Sequence, residues 1–171
     1  ITVATDPVVG RELWIVDAIG SRLVLLADIY TDSSVNPSSF PHNITAAGNY
    51  LFFAANDIAH GNELWRSDGT RGGTALVRDI LPGSASSAPD TLTAVGDVLY
   101  FTADDGVHGA ELWRSDGTFE GTALVMDIHP DGGANPGNLT VLNGALLFSA
   151  SRPYEGEELW ILEPGKKPVI L

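Results

Sequence analysis

Apolar and polar positions alternate in short runs along this chain, and most runs end at a pair of turn-forming residues. Residues 91–95 (TLTAV) and 98–102 (VLYFT) are rich in β-branched and aromatic side chains and flank Gly96-Asp97. Such a pair accepts the positive φ of a tight hairpin, so the pattern predicts two antiparallel strands. A polar loop at 104–109 follows, then a third strand at 110–114, a turn at Ser115-Asp116-Gly117-Thr118 and a fourth strand at 122–128. Gly48-Asn49 and Asn143-Gly144 hold the first turn position in other parts of the chain. Connectors rich in Pro, Gly and Ser, such as 82–87, lead from one group of strands to the next.

The strand pattern repeats. Glu-Leu-Trp recurs at Glu12-Leu13-Trp14, Glu63-Leu64-Trp65, Glu111-Leu112-Trp113 and Glu158-Leu159-Trp160, in steps of 51, 48 and 47 residues. Gly10, Gly61, Gly109 and Gly156 each stand two residues before the Glu. Asp6, Asp57 and Asp105 stand six before it, a series that Arg152 breaks. Asp28, Asp79 and Asp127 stand sixteen after it, each followed by Ile. The chain therefore reads as one repeat domain, 1–171, with units at about 1–29, 43–80, 91–128 and 138–171. The first unit lacks a first strand, because residues 1–4 match a second one.

Four short strands in each unit of 40–50 residues is the period of a β-propeller blade. The predicted fold class is all-β: a β-propeller-like array of four-stranded antiparallel blades, either a small four-bladed ring or an arc of a larger one. A sheet that is apolar on both faces needs neighbours, and the tryptophan of each third strand is expected to fill the space between adjacent sheets.

Composition narrows the function classes. The net charge of −13 repels a phosphate backbone and an anionic membrane surface, so neither nucleic acid nor membrane insertion is expected. With no cysteine there is no disulfide scaffold, thiolate metal site or cysteine nucleophile. No apolar run has the length of a membrane-spanning helix. The chain starts with Ile rather than Met, which reads as a processed product or part of a longer protein.

The segments ELWRSDGT at 63–70 and 111–118 resemble the signature of the ELWxxDGT repeat proteins. The first unit keeps Glu-Leu-Trp and Asp17 but loses Gly-Thr, and the last keeps only Glu-Leu-Trp. The resemblance spans nearly the whole chain and implies a secreted or cell-surface bacterial protein built from many such units. It implies no catalytic residue.

Several residues invite a chemical reading. Asp68 and Asp116 suit turns in which the carboxylate accepts backbone N–H bonds, with Gly69 and Gly117 at positive φ; the rival reading is a calcium ligand. The loops at 56–61 and 104–109 place Asp57, Asp104 and Asp105 beside a glycine bend, an oxygen-ligand arrangement for calcium that equally suits a solvated, self-capped hairpin. His60 and His108 beside these carboxylates extend the candidate site to ligand contact. The repeated tryptophans read as core rather than as sugar platforms, so exposed aromatics outside the repeat, Phe119 and Tyr154 with Tyr30 and Phe40, are the better ligand contacts. The recurring Glu reads as a structural tie, to backbone N–H groups or to Arg66 and Arg114, rather than as a general acid. Asn43-Ile44-Thr45 and Asn138-Leu139-Thr140 have the form of glycosylation sequons.

The expected function is a non-catalytic extracellular binding or scaffold module that presents loops to a glycan or protein, with self-association a further expectation and no cofactor unless calcium. Two rivals stand beside it: a polysaccharide lyase or hydrolase whose site departs from the repeat at His129-Pro130-Asp131 and Arg152-Pro153-Tyr154-Glu155, and a purely structural fibre component.

Overall fold

The computed structural model describes residues 1–17, 19–20, 22–31 and 38–171. Every regular element among them is a strand: β1 (Thr2–Asp6), β2 (Gly10–Val16), β3 (Leu23–Ala27), β4 (His42–Ala47), β5 (Tyr50–Asp57), β6 (Gly61–Ser67), β7 (Ala75–Arg78), β8 (Asp90–Val95), β9 (Val98–Asp104), β10 (Ala110–Ser115), β11 (Ala123–Met126), β12 (Gly137–Leu142), β13 (Ala145–Arg152), β14 (Gly156–Leu162) and β15 (Val169–Ile170). They form four antiparallel meanders: β1-β2-β3, β4-β5-β6-β7, β8-β9-β10-β11 and β12-β13-β14-β15. Among the described residues the first sheet has three strands, and β1 pairs with β2 as β5 pairs with β6, so β1 takes the place of a unit's second strand.

The sheets pack in series. Leu13, Leu26 and Ile29 of the first unit meet Phe53 and Ala55 of the second. Phe52, Leu64, Val77 and Ile80 of the second meet Leu99, Phe101, Ala103 and Trp113 of the third. Leu112 and Ile128 of the third meet Leu146, Phe148, Ala150 and Trp160 of the fourth. Each interface therefore joins the face carrying the repeat's Leu to the face carrying the next unit's Phe and Trp. Burying one such Leu or Phe contributes about 1.5–3 kcal/mol. As expected, Trp65, Trp113 and Trp160 lie between adjacent sheets. Among the described residues, no core cluster joins the first sheet to the fourth.

The fourth strand ends sooner than its sequence pattern suggests. In the third sheet, Leu112 pairs with Met126 and Trp113 with Leu124, a bulge, and the ladder then stops before Asp127-Ile128. The reason is the repeat's glutamate. Glu111 is buried, and its carboxylate accepts from the backbone N–H groups of Ile128 (3.3 Å), His129 (3.2 Å) and Ala134 (3.0 Å). Glu63 accepts from Ile80 N (3.1 Å), Leu81 N (3.4 Å), Ser87 N (2.9 Å) and Ser87 Oγ (2.5 Å). Glu12 accepts from Ile29 N, Ser39 N and Ser39 Oγ. Of the two partners expected for this tie, the backbone is the one found; Arg66 lies over the Tyr50 ring instead.

The tie sets the junction between units. The carbonyls of Ser39, Ser87 and Ala134 accept from Asn56, Asp104 and Ser151, residues of the next sheet's second strand. Each connector is thus held by the Glu of one unit and holds a strand of the next. It passes so close that a Cβ on Gly61 would lie 2.4 Å from Ala85 O, and one on Gly109 2.6 Å from Gly133 N. Both glycines also have positive φ, 67° and 71°. Gly10 and Gly156 share the positive φ, at 74° and 85°, while a Cβ on Gly156 would meet nothing within 4 Å, so the recurrence follows from the backbone conformation.

Candidate functional site

The first strands β4, β8 and β12 lie side by side where the sheets converge. Asn43 Nδ2 donates to Asp90 Oδ1 (2.7 Å) and Thr45 Oγ1 to Leu92 O (3.2 Å), linking β4 to β8. Each of these strands begins with the same distortion. Pairing slips between His42 and Thr45, between Asp90 and Thr93, and between Gly137 and Thr140. The residues at the slips, Asn43, Thr91 and Asn138, have φ of 54°, 53° and 55°. Asparagine tolerates this region, whereas a β-branched residue there is under strain. Thr91 is held by its neighbours: its N–H donates to Asp90 Oδ1 (2.7 Å) and its hydroxyl to Asp90 O (2.8 Å), with Thr102 Oγ1 2.6 Å away.

These bulges line an open cleft of about 430 Å³, bounded by Asn43, Ile44 and Thr45 of β4, Asp90, Thr91, Leu92 and Thr93 of β8, and Asn138 and Leu139 of β12. Among the described residues its polar groups are amides, hydroxyls and one carboxylate, and its apolar ones are aliphatic. Strained backbone concentrates at binding sites, where the surrounding structure must sustain it.

The sequons are part of this construction. Thr45, Thr93 and Thr140 donate their hydroxyls to the carbonyls of Asn43, Thr91 and Asn138, two residues earlier. The Asn-x-Thr spacing is therefore the spacing of a bulge residue and the hydroxyl that caps it, and the middle unit makes the same bulge with Thr-x-Thr.

The loop carboxylates are engaged within their own loops. Asp57 Oδ1 accepts from His60 N (2.6 Å), and Asp57 Oδ2 lies 2.8 Å from His60 Nδ1. Asp105 repeats this with His108 N (2.9 Å) and His108 Nδ1 (2.8 Å), and also accepts from Val107 N (2.9 Å). Asp104 accepts from Gly106 N (2.7 Å). The hydrogen bond to Asp57 raises the pKa of His60 above the usual 6.5, and that to Asp105 does the same for His108. Burial works against ionisation of Asp105, yet the N–H groups and imidazole of His108 hold its carboxyl below the ordinary value. Asp57 and Asp105 belong to hairpins of different sheets, and among the described residues no three His, Asp or Glu side chains gather as a metal site.

The remaining predicted contacts are scattered. Tyr154 is fully exposed at the β13–β14 turn with φ 68°. It borders a separate open hollow with Pro130, Arg152 and Trp160. Phe119 is exposed beyond the β10–β11 turn, with the Arg78 guanidinium 4.9 Å from its ring centroid. None of His60, His108, Phe119 or Tyr154 lines the cleft between the first strands.

The Asp-Gly-Thr turns close on themselves. Asp116 Oδ1 accepts from Thr118 N (2.8 Å) and Oγ1 (2.7 Å), Thr118 Oγ1 accepts from Gly121 N (2.9 Å), and Thr122 Oγ1 donates to Thr118 O (2.7 Å). Asp68, Thr70, Gly73 and Thr74 repeat the pattern. The threonine hydroxyls, followed by the backbone N–H groups, hold both Asp carboxyls below their usual range.

Neither the protein-family models nor the curated proteins compared with this chain match it.

Proposed function

We propose that this chain is a repeat-built, non-catalytic binding module with a propeller-like arrangement of its four sheets, acting outside the cell. Its convergent first strands and serial packing of sheets support that arrangement.

More particularly, we infer that it binds a carbohydrate in the cleft between β4, β8 and β12. The observation that carries this reading is the triple bulge, which brings one polar residue from each of three units to the lining of a shared opening, with Asn138 Nδ2 held by Ser149 Oγ (3.1 Å) and the Thr91 hydroxyl by Asp90 O (2.8 Å). Amides that both donate and accept, a carboxylate acceptor and threonine hydroxyls match the vicinal hydroxyls of a sugar, while Ile44, Leu92 and Leu139 suit its C–H face. Among the described residues Asp90 is the one carboxylate lining the cleft, whereas two-carboxylate glycoside hydrolysis needs an acid and a second carboxylate. That favours binding over the hydrolase alternative.

The test is a glycan-array screen of the chain, followed by calorimetry with any hit and with Asp90→Ala and Asn138→Ala. The expected result is binding without turnover, weakened about tenfold or more in each variant, which is the loss of one or two good hydrogen bonds. Cleavage of the bound glycan, or binding untouched by both substitutions, overturns the assignment.

A further inference from the structure

The three internal interfaces follow one rule, and the ends of the series leave both halves of that rule unused. The leucine of Glu-Leu-Trp is fully buried wherever another sheet follows: Leu13, Leu64 and Leu112 are each 0% exposed, while Leu159 of the fourth sheet is 50% exposed. Leu147, Ile161, Val169 and Leu171 extend the same open face, since Leu147 pairs with Ile161, Ile161 with Val169, and Leu171 N donates to Leu159 O. An open groove of about 450 Å³ bounded by Leu142, Leu147, Ile161 and Leu171 runs along it.

The opposite face shows the complementary vacancy. Two residues after the tryptophan, Ser67, Ser115 and Leu162 are 1%, 0% and 5% exposed, and Leu162 packs in the third interface. Val16 holds that position in the first sheet and is 45% exposed, beside Leu23, its cross-strand partner, at 46%. Strand alternation puts Val16 on the same face as Trp14.

We propose that the leucine face of the fourth sheet docks onto the tryptophan face of the first sheet of a second copy of this chain. The argument is continuity. Leucine-face-to-tryptophan-face packing already joins the first sheet to the second, the second to the third and the third to the fourth. A second copy supplies that same surface with the same strand twist. The contact is heterologous, head to tail, and either closes on two copies or continues through more. Two copies in a ring bring together eight sheets, within the four to eight of known propellers. The net charge of −13 on each copy opposes the approach, so association strengthens with added salt. This inference rests on sheet packing alone and stands apart from the carbohydrate reading.

The experiment is sedimentation velocity over a wide concentration range at low and high salt, on the whole 171-residue chain and on Leu159→Asp and Val16→Asp. Both positions are exposed in the single copy, and an unchanged far-ultraviolet dichroism spectrum and melting temperature identify variants that remain folded. The wild-type chain is expected to exceed the mass of one copy as concentration rises, more so in salt. Each variant alone is expected to stay at one copy. Mixed together they are expected to form a pair, because one retains an intact tryptophan face and the other an intact leucine face. A wild-type chain that stays at one copy throughout overturns the proposal. So does continued association of either variant alone, which means like-to-like pairing or another surface, and so does a mixture that fails to pair.

Discussion

At the residue scale, the repeated glutamate organises the first three units through a carboxyl placed where water is absent. Burial pushes the carboxyls of Glu12, Glu63 and Glu111 above the ordinary 4.5, while the serine and backbone donors around them pull the other way. Replacing Glu63 by Ala leaves the buried donors on Ile80 and Ser87 without a partner, and a loss of about 2–4 kcal/mol in urea unfolding is expected. Replacing it by Gln keeps one acceptor and is expected to be milder. The pH dependence has a definite sign. A carboxyl whose folded pKa lies above its unfolded value contributes its stability below about 4.5 and loses it as pH rises through the folded value. Glu63→Gln removes that loss, so its stability relative to wild type is expected to improve between pH 4 and pH 7; a constant or reversed difference contradicts the burial argument. The histidines titrate in another window. With folded pKa values above 6.5, the Asp57–His60 and Asp105–His108 pairs are at full strength below that pH and weaken as pH rises through the folded values. Nuclear magnetic resonance titration of His108 is expected to give a midpoint above 6.5 that falls toward it in Asp105→Asn. These Asp–His contacts span three residues, and their turn-capping half was legible in the sequence. That the repeated Glu is a tie to backbone N–H groups was one of the two readings the sequence offered. The contacts span 17 to 27 residues and draw on backbone N–H groups, which every residue but proline carries, and on the Ser39 and Ser87 hydroxyls, so no side-chain pattern announced which donors they would be.

At the scale of elements, the turns are built by exclusion as much as by attraction. A Cβ on Gly121 would lie 2.0 Å from Asp116 Oδ1, and one on Gly73 equally close to Asp68 Oδ1. Gly121→Ala is therefore expected to lower stability by about 1–3 kcal/mol, the range for forcing extra atoms into a packed site. In an Asp116→Ala background the same change is expected to have much less effect, because the obstructing carboxylate is gone. A double-mutant cycle by thermal unfolding measures the difference, and additivity would mean that the close approach is not what requires the glycine. The Ser-Asp-Gly-Thr turn was readable as such because Asp, Gly and Thr each have one backbone-directed role within four residues. The first-strand bulges were not. Asn43, Thr91 and Asn138 occupy equivalent positions but Thr91 differs in type from the two asparagines, and only the fold shows them sharing a positive φ and a cleft.

For the whole molecule, the serial arrangement makes stability a matter of neighbours. The second and third sheets are covered on both faces, the first and fourth on one. Hydrogen exchange at low protein concentration is expected to protect amides of β5, β6, β9 and β10 most strongly. Those of β1–β3 and β12–β15 are expected to open earlier, at lower free energy. Uniform protection across all four sheets would indicate a single cooperative unit instead.

The division between what the chain spells out and what folding adds follows from distance along it. Sequence alone determined the repeat, the strands, the hairpin turns and the pairing of each meander, because two-residue alternation, turn residues and a recurring tripeptide act over a few residues. It also determined that the sheets would need one another, since both faces of the middle units are apolar. Only the tertiary structure decided that β4, β8 and β12 converge on a common cleft, that Glu12, Glu63 and Glu111 seize the connectors to the next units, and that Leu159 and Val16 remain uncovered. Those outcomes depend on how segments nearly fifty residues apart stack, and equivalent positions in a repeat carry the same letters whether or not a neighbour lies against them.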